Sequence, residues 1–239
     1  MVSVDAFSVD AAHNGPPASG HGGISAGLLS AFVAERANGV VVRLQSPVPL
    51  ATALTAVAGD DGSVTAYAGD TAIAVARPLP EPLVVEAFPV LSTSDVEAAA
   101  AAWWRDRDEF NPFPTCFGCG TARADGWRLS PGPVPDAGLN AAAWTARFDA
   151  NVPVWAPWAV LDCTQVGPVI EVSTPPAGLL TGEIALRSVQ PVIDGAAYVA
   201  MGRRTAAVGK KVFTESVLLD AGNEPVAYAR ATWFVLPSY

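Results

Sequence analysis

Residues 23–27 (Gly-Ile-Ser-Ala-Gly) have the Gly-x-Ser-x-Gly spacing of a serine nucleophile on a sharp strand-to-helix turn. Such a serine needs a strand before it and a histidine later in the chain. The preceding residues are rich in Pro, Gly and Ser, and the two histidines, His13 and His21, both precede Ser25. This order excludes a serine hydrolase of that type. It predicts that Ser25 and Gly27 are small residues that let a buried helix approach a sheet.

A second candidate lies at the same place, in the sequence His21-Gly22-Gly23, which leads into an apolar run. A helix N-terminus has free N–H groups and about half a positive charge, and glycines let a ligand approach the backbone. The N–H groups of Gly22 and Gly23 are therefore predicted to stabilise a carbonyl that becomes an oxyanion. The alternative is a glycine-rich loop that only enters a helix. The long polar loop favours a functional role, with Asn14 and His21 as substrate contacts.

Asp162 stands among apolar residues in the segment VLDCTQV, residues 160–166. Burying a carboxylate is unfavourable unless it is hydrogen-bonded or used in a reaction. Burial also raises its pKa, which suits a general base acting on water. Asp162 is therefore predicted to be catalytic, with Gln165 as a polar neighbour in the same site. The alternative is that Asp162 is the N-cap of a short helix.

Cys116 and Cys119 form a Cys-x-x-Cys pair, which is half of a typical zinc site. A complete site needs two more ligands, and only Cys163, His13 and His21 remain to supply them. No second Cys-x-x-Cys is present, and the surrounding sequence is typical of extended chain rather than of a redox helix. The favoured interpretation is a structural turn, and no metal is expected.

Composition limits the classes of function. The chain is 51% hydrophobic and 15% charged, with a net charge of −9. The negative charge makes nucleic acid and anionic membrane poor partners. The low share of charged residues favours burial of apolar surface, either between the two halves of the chain or against a second copy, so a homo-oligomer is possible. Three cysteines and no signal-peptide pattern favour a reducing cytosol, so we expect a cytoplasmic protein without a membrane span.

The first half of the chain has one helix followed by strands. Residues 24–39 are apolar around nearly the whole helical circumference, which predicts a buried helix ended by Asn38-Gly39. Turns at residues 60–62 and 69–70 then separate predicted antiparallel strands. These strands are VVVRLQSPV, TALTAVA, SVTAYAG and TAIAVARPL.

The second half repeats this order. Residues 140–148 are predicted to form a strand, and VLDCTQVGPVIEV is an apolar segment that can form a short helix. Four strands follow, with a hairpin turn at residues 220–223; they are TGEIALRSVQPVI, AAYVAMGRRTAAV, KKVFTESVLLD and PVAYARATWFVLP. Two copies of helix-then-meander in one chain indicate a duplicated domain.

A helix is predicted between the copies, over residues 95–108, with Ser94 and Glu97 as a capping box. Asn111-Pro112 and Pro114 are predicted to end it. The predicted organisation is therefore a first domain over residues 1–92, a linker over 93–115 and a second domain over 116–239.

One buried helix wrapped by a curled antiparallel sheet is the hotdog arrangement. HGGISAGLLSAF resembles the helix-start motif of hotdog-fold thioesterases, and PTCFGCGTARADGWRL is similar to the Cys-Phe-x-Cys-Gly opening of many hotdog proteins of that type. The whole chain resembles a double-hotdog acyl-CoA thioesterase. The resemblance implies an α+β fold of two tandem hotdogs. It also implies hydrolysis of an acyl-CoA or acyl-carrier thioester, with coenzyme A as part of the substrate and no other cofactor.

The resemblance also implies a set of site residues. In such enzymes an aspartate from the second half, a threonine on the next strand and a glutamine on the last strand hold the attacking water. Asp162 matches the aspartate by position, and Thr181 is a match for the threonine. The glutamine has no match, because the last strand offers only Ala231 or Thr232. Gly22 and Gly23 are implied as the oxyanion hole, which makes Gly23 a third catalytic residue.

Basic residues are concentrated in GRRTAAVGKK, which holds four of the 14 Lys and Arg. Arg203 and Arg204 are predicted to bind the phosphates of coenzyme A, and the alternative is a solvated hairpin tip. Two other functions stay open. The missing glutamine is compatible with an inactive acyl-CoA-binding protein or a purely structural role. A hotdog hydratase or dehydratase is the weaker alternative, because Trp155 stands where a histidine is needed.

Overall fold

The computed structural model describes residues 2–105, 113–149, 151–170 and 178–236, which form eleven strands and three helices. The first-half elements are β1 (Val2–Phe7), α1 (Gly22–Ser30), β2 (Val40–Leu44), β3 (Leu54–Ala58), β4 (Val64–Ala68) and β5 (Thr71–Pro78). Helix α2 (Thr93–Arg105) follows. The second-half elements are β6 (Gly132–Val134), β7 (Leu139–Thr145), α3 (Ala156–Ile170), β8 (Gly178–Ser188), β9 (Ala197–Val208), β10 (Lys211–Leu219) and β11 (Pro225–Leu236).

All these strands belong to one antiparallel sheet, in the order β1-β3-β4-β5-β2-β8-β11-β10-β9-β7-β6. The two halves meet where β2 pairs with β8, with Val42 opposite Ile184. The first half has the order β1-β3-β4-β5-β2, and the second half, read inward from β7, which lies next to the edge strand β6, has the equivalent order β7-β9-β10-β11-β8. The duplicated helix-and-meander organisation predicted from the sequence is therefore confirmed, and pairing of β2 with β8 makes the two sheets continuous.

Helices α1 and α3 lie on one face of this sheet. Helix α1 packs on β2 and β5, whereas α3 packs mainly on β7, β9 and β10. The prediction that α1 is buried is confirmed, because most of its residues have almost no exposed surface. The predicted helix end at Asn38-Gly39 was wrong: α1 ends at Ser30, and the chain then turns until Gly39, with φ +109°, leads into β2. Among the described helices, none has both the length and the apolar character needed to cross a membrane.

The two buried helices pack directly against each other through glycines of α1. A Cβ atom at Gly23 would collide with the carbonyl oxygen of Trp158, and one at Gly27 would lie 2.5 Å from the Cα atom of Trp155. The small residues of α1 therefore let it approach α3 rather than the sheet, contrary to the expectation from the sequence. Residues 23–27 lie inside α1, and the hydroxyl of Ser25 is buried there with no hydrogen-bond partner among the residues that the structure describes.

The structure corrects the start of the linking helix. Helix α2 begins at Thr93, and its capping box consists of Ser92 and Asp95 instead of Ser94 and Glu97. The Asp95 N–H donates to the Ser92 hydroxyl at 3.2 Å, and the Ser92 N–H donates to the Asp95 carboxylate at 2.9 Å. Residues 106–108 of the predicted helix lie outside the described residues. Strands β1 and β6, which add one edge strand to each half, were not predicted.

Candidate active site

Asp162 lies in the second turn of α3, with 4% of its surface exposed. Its Oδ2 atom accepts a hydrogen bond from the Gly23 N–H at 2.8 Å, and its Oδ1 atom accepts one from the Thr181 hydroxyl at 3.0 Å. The Nδ1 atom of His21 is 3.3 Å from Oδ2. Asp162 is therefore not the N-cap of its helix. It is a buried carboxylate held by residues from both halves of the chain.

This environment has opposing effects on the charge of Asp162. Burial raises the pKa of Asp162, whereas His21, the Gly23 N–H and the Thr181 hydroxyl lower it and only partly compensate. The two hydrogen bonds fix the orientation of the carboxylate, because each oxygen has its own donor. A raised pKa makes the carboxylate a better proton acceptor, which suits general-base chemistry on a water molecule.

The two glycines at the start of α1 have different roles. The Gly23 N–H is occupied by Asp162 and is not free to bind a substrate oxygen. The Gly22 N–H has no acceptor among the described residues, as is usual in the first turn of a helix. A Cβ atom at Gly22 would lie 2.8 Å from the Thr181 hydroxyl oxygen and 3.1 Å from Asp162 Oδ2. Only a glycine therefore fits beside this pair without displacing it.

A cavity of about 560 Å³ opens beside these groups. His21, Gly22, Asp162 and Thr181 contribute polar atoms to its wall, and most of the remaining lining is apolar. The apolar lining comes from the Pro-rich loop, from β2 and the residues that follow it, and from β8 and β11, and includes Pro16, Pro17, Leu44, Val48, Leu179 and Phe234. The site thus combines an apolar cavity with a small polar group at one wall, a common form of small-molecule site.

His21 connects this carboxylate to a cluster of thiols. It is the N-cap of α1, and its Nδ1 atom also lies 3.4 Å from the Ile24 N–H. Its Nε2 atom is 3.1 Å from Cys163 Sγ, and Cys163 Sγ is 4.0 Å from Cys116 Sγ. The Cys-x-x-Cys segment forms the predicted turn, closed by a hydrogen bond from the Gly120 N–H to the Cys116 carbonyl at 2.9 Å. The sequence suggested His21 and Cys163 as possible additional ligands, and the structure brings both to this turn.

The thiols differ in their proton affinity. The thiols of Cys119 and Cys163 lower the pKa of Cys116 well below its ordinary value, with a further contribution from His21. Contacts with Cys116 and Cys119, together with burial, raise the pKa of Cys163 well above its ordinary value. Burial disfavours a charged His21, but Cys116 and Asp162 outweigh it and raise the pKa of His21. The ligand atoms of His21, Cys116 and Cys163 lie within 4.8 Å of one another, so these residues can hold a metal ion.

Asn14 and Gln165 lie close to the site but do not line the cavity. The Asn14 amide donates to the Thr115 carbonyl at 3.0 Å and accepts from Arg123 at 2.7 Å, which ties the N-terminal loop to the cysteine turn. Gln165 donates to the Leu161 carbonyl at 3.0 Å and accepts a hydrogen bond from Thr214 on β10. Both residues therefore support the site from behind the cavity wall, whereas the sequence had suggested that they contact the substrate.

Arg203 and Arg204 are remote from the cavity. Gly202 faces α3, because a Cβ atom there would lie 3.0 Å from the Thr164 carbonyl oxygen, so its neighbour Arg203 projects from the opposite face of the sheet. Arg203 donates to the buried Glu215 at 2.8 Å and to the Glu86 and Ala87 carbonyls. Arg204 joins Arg203 in lining a separate depression of about 990 Å³. The structure therefore does not bring these arginines to Asp162.

The glutamine that the resemblance implies has no counterpart in the paired strands. Thr181 on β8 lies opposite Trp233 on β11, while Ala231 and Thr232 lie opposite Ile184 and Glu183. The indole N–H of Trp233 donates to the Thr214 hydroxyl at 3.1 Å. An aromatic residue, with its only donor already used, thus stands beside Thr181 where an amide was expected.

No protein-family model and no curated protein matches this sequence. Solved structures match it over nearly the full length. Acyl-CoA thioesterase II TesB2 from Mycobacterium marinum is 14% identical, with a TM-score of 0.62 over 92% of this chain and 91% of that one. A tesB protein from Mycobacterium avium subspecies paratuberculosis is 14% identical, with a TM-score of 0.60 over 90% of this chain and 87% of that one.

A conserved protein of unknown function with a hot dog fold, from Alicyclobacillus acidocaldarius, covers all of this chain and 97% of its own. It is 12% identical, with a TM-score of 0.60. At these identities the likeness establishes the fold. Two of these full-length neighbours are double-hotdog proteins of the TesB type, and the third has a hot dog fold, so the tandem hotdog architecture expected from the sequence is the one observed.

Proposed function

We propose that this chain is a thioester hydrolase that acts on acyl-CoA. The observation that carries the proposal is the Asp162 carboxylate, which Thr181 and Gly23 fix at the wall of an apolar cavity. It lies close to Gly22, whose N–H has no acceptor in the part of the chain that the structure describes. The full-length likeness to an acyl-CoA thioesterase II supports the same class of substrate. Asp162 and the backbone of Gly22 thus line the same cavity, so a base and a hydrogen-bond donor can act on one bound molecule.

The acyl chain occupies the apolar part of the cavity in this proposal. Apolar side chains such as Leu44, Val48 and Phe234 remove the chain from water, which stabilises the complex by about 0.8 kcal/mol for each buried CH₂ group. The thioester carbonyl then lies at the polar wall, with its oxygen toward the Gly22 N–H. The carbonyl carbon faces the Asp162 side.

Asp162 positions the attacking water and accepts its proton. The water oxygen forms a bond to the carbonyl carbon, and the carbonyl oxygen becomes an oxyanion that accepts a hydrogen bond from Gly22. The carbon–sulfur bond then breaks, the sulfur leaves as the thiol after taking up the proton, and a carboxylic acid is released. Thr181 keeps Oδ1 in place, so that the carboxylate does not rotate away from the water.

Recognition of the acyl group is separate from recognition of its carrier, such as coenzyme A. Among the described residues that line the cavity, none is Lys or Arg. Substrate recognition therefore depends mainly on the acyl chain and the thioester group. We therefore expect a minimal thioester, such as an N-acetylcysteamine ester, to be hydrolysed as well. Arg203 and Arg204 have no part in this recognition.

A second candidate is favoured by Trp233. The residue beside Thr181 on β11 is this tryptophan and not an amide, so one of the groups expected to hold the water is missing. A protein that binds acyl-CoA without hydrolysing it accounts for that difference. A hydratase or dehydratase is less suitable, because Trp155 packs against Trp127 and His13 in an aromatic cluster and provides no acid or base.

Thiol release from the full chain separates these functions. The purified protein is assayed with acyl-CoA, acyl-carrier-protein and N-acetylcysteamine thioesters of increasing chain length, with calorimetric titration of the same acyl-CoAs. Release that exceeds the uncatalysed rate supports hydrolysis. Saturable binding without release overturns hydrolysis in favour of the binding protein, and the absence of both overturns the two candidates together.

A further inference from the structure

Three ligand-bearing side chains from three separate parts of the chain converge beside Asp162. His21 caps α1, Cys116 lies in the Cys-x-x-Cys turn, and Cys163 belongs to α3. All three are buried, with exposures of 2%, 4% and 2%. Their ligand atoms all lie within 4.8 Å of one another. Such convergence of thiols and an imidazole in a buried place needs a physical reason, because free thiols contribute little by contacting each other.

The spacing of these atoms fits a tetrahedral zinc ion. With zinc–sulfur bonds of about 2.3 Å and zinc–nitrogen bonds of about 2.0 Å, the edges of the tetrahedron are about 3.8 Å between sulfurs and about 3.5 Å between sulfur and nitrogen. The observed distances are 4.0 Å from Cys116 Sγ to Cys163 Sγ and 3.1 Å from His21 Nε2 to Cys163 Sγ. Shifts of a few tenths of an ångström bring both distances to these values.

Cys119 is the natural fourth ligand. It is 2% exposed and lies in the same cavity wall as Cys116 and Cys163. Its Sγ atom is not part of the described group of three ligand atoms within 4.8 Å of one another, so it moves toward them when the ion binds. The turn between Cys116 and Cys119 lies directly over the cluster, because a Cβ atom at Gly118 would collide with Cys163 Sγ and would lie 2.9 Å from His21 Nε2. A Cys-x-x-Cys turn that closes over two further ligands is the usual arrangement in structural zinc sites.

The second nitrogen of His21, Nδ1, lies between the Ile24 N–H, from which it accepts a long hydrogen bond of 3.4 Å, and the Asp162 carboxylate. A protonated Nδ1 gives up the first contact and turns to the carboxylate. When Nε2 binds a metal, Nδ1 carries the proton and usually donates to a carboxylate. Here Nδ1 lies 3.3 Å from Asp162 Oδ2. Asp162 thus fixes the orientation of the ring and increases the basicity of Nε2.

The order Cys163–His21–Asp162 also resembles a nucleophile, a base and an orienting carboxylate. The surroundings of Cys163 favour a metal over a nucleophile. Its Sγ atom lies 4.0 Å from Cys116 Sγ and directly under the Cys-x-x-Cys turn at Gly118, although a nucleophile needs no second thiol beside it.

We infer that the chain binds a structural zinc ion through Cys116, Cys119, Cys163 and the Nε2 atom of His21, and that this ion links the two hotdog halves. His21 belongs to the first half and Cys163 to the second, while the Cys-x-x-Cys turn leads from the linker into the second half. The ion therefore cross-links α1, the turn and α3 in the folded state. Because binding requires this folded arrangement, it stabilises the protein.

Metal analysis of the full chain, purified under reducing conditions, tests the inference. We expect about one zinc ion per chain, released when a mercurial reagent blocks the thiols. Replacement by cobalt should give the intense d–d bands of a tetrahedral site and sulfur-to-cobalt charge-transfer absorption. A protein that contains no zinc and takes up neither zinc nor cobalt would overturn the inference. Cobalt spectra without the charge-transfer bands would also overturn it.

Variants provide the matched control. His21→Gln and Cys163→Ala should each lower zinc retention by at least about tenfold, while His13→Gln should not, because His13 packs against Phe117 and Trp155 outside the cluster. If the ligand variants do not fold, the cobalt spectrum and the zinc content of the unmodified chain still show whether the zinc site exists. A zinc-free protein that releases thiol contradicts only the metal site. A zinc-loaded protein that releases none contradicts only the proposed hydrolysis.

Discussion

The hydroxyl of Thr181 donates to Oδ1 of Asp162 across 3.0 Å, and so joins the first strand after α3 to the middle of that helix. The other carboxylate oxygen accepts the N–H of Gly23 from α1. Asp162 is therefore a point of contact between the two halves of the chain as well as the proposed catalytic carboxylate. Changes around it will affect activity and packing to different degrees.

Asp162→Asn should lower the rate of thiol release by about 10²- to 10⁴-fold, because the amide cannot accept a proton from water. The variant keeps the size of the side chain and an oxygen for the Gly23 N–H or the Thr181 hydroxyl, so it should fold. Steady-state kinetics with circular dichroism checks both points. Unchanged turnover in the folded variant would remove Asp162 from the mechanism.

Thr181→Val should reduce kcat with little change in KM, because it removes the hydroxyl that orients the carboxylate but keeps the shape of the side chain. A hydrogen bond to a charged group contributes about 1.5–3 kcal/mol, which corresponds to roughly 10- to 150-fold in rate. Thr181→Ser retains the hydroxyl and is the matched control. If serine and valine at this position impair kcat equally, Thr181 does not act through its hydrogen bond.

Gly23→Ala should destabilise the protein by about 1–3 kcal/mol, because the new methyl group overpacks the contact between α1 and α3. Gly27→Ala should have an effect of similar size for the same reason. Gly178→Ala is the control, since its Cβ atom would meet only the Leu236 side chain at 3.4 Å, an ordinary contact. Urea unfolding measures all three, and equal stability among them would contradict the close packing of the helices.

Gln165→Leu should lower the free energy of unfolding by about 1–3 kcal/mol, because the buried Thr214 hydroxyl loses its acceptor. The variant should leave KM for acyl-CoA unchanged, since Gln165 does not line the cavity. The exposed Gln190→Leu is the comparison and should change stability by less than about 0.5 kcal/mol. A large rise in KM for Gln165→Leu would return this residue to the substrate site.

Arg203→Ala should destabilise the protein by about 1–3 kcal/mol, because the buried Glu215 loses its closest cation and, among the described residues, keeps the more distant Arg230, at 3.7 Å. Arg204→Ala, at an exposed position, should be nearly neutral. Neither variant should change KM for acyl-CoA. A parallel rise in KM for both would show that these arginines bind the phosphates of coenzyme A after all.

Local signals in the sequence were sufficient for much of the fold. The all-round apolar segment after Gly23 predicted a buried helix, and the turn residues at positions 60–62 and 220–223 predicted hairpins, because burial and turn conformation depend on neighbouring residues. The predicted length of α1 was wrong, since apolar residues continue past Ser30 in a non-helical segment that is mostly exposed, with Val33 buried but Ala31 and Ala34 at the surface. Apolar composition alone therefore does not show where a buried helix ends and an exposed turn begins.

The candidate site was only partly accessible to the same reasoning. Asp162 was identifiable because a carboxylate in an apolar segment needs a partner, and Thr181 followed from the resemblance. Gln165 was predicted as a site residue because it is a polar neighbour of Asp162 in the sequence, and Arg203 because it belongs to a cluster of four basic residues. The structure turns both away from the cavity. Side-chain direction on a helix or strand depends on which face packs inward, and a short segment does not specify it.

The sequence by itself determined the repeated order of helix and strands and identified Asp162 as a carboxylate that must be held by other groups. Only the tertiary structure decided which groups hold it, and that His21, 142 residues away from Cys163, lies against that thiol and close to Cys116. The physical reason is that hydrophobic periodicity acts between near neighbours. Contacts between α1, α3 and the cysteine turn arise when glycines allow the two buried helices to approach, and pairing of β2 with β8 joins the halves.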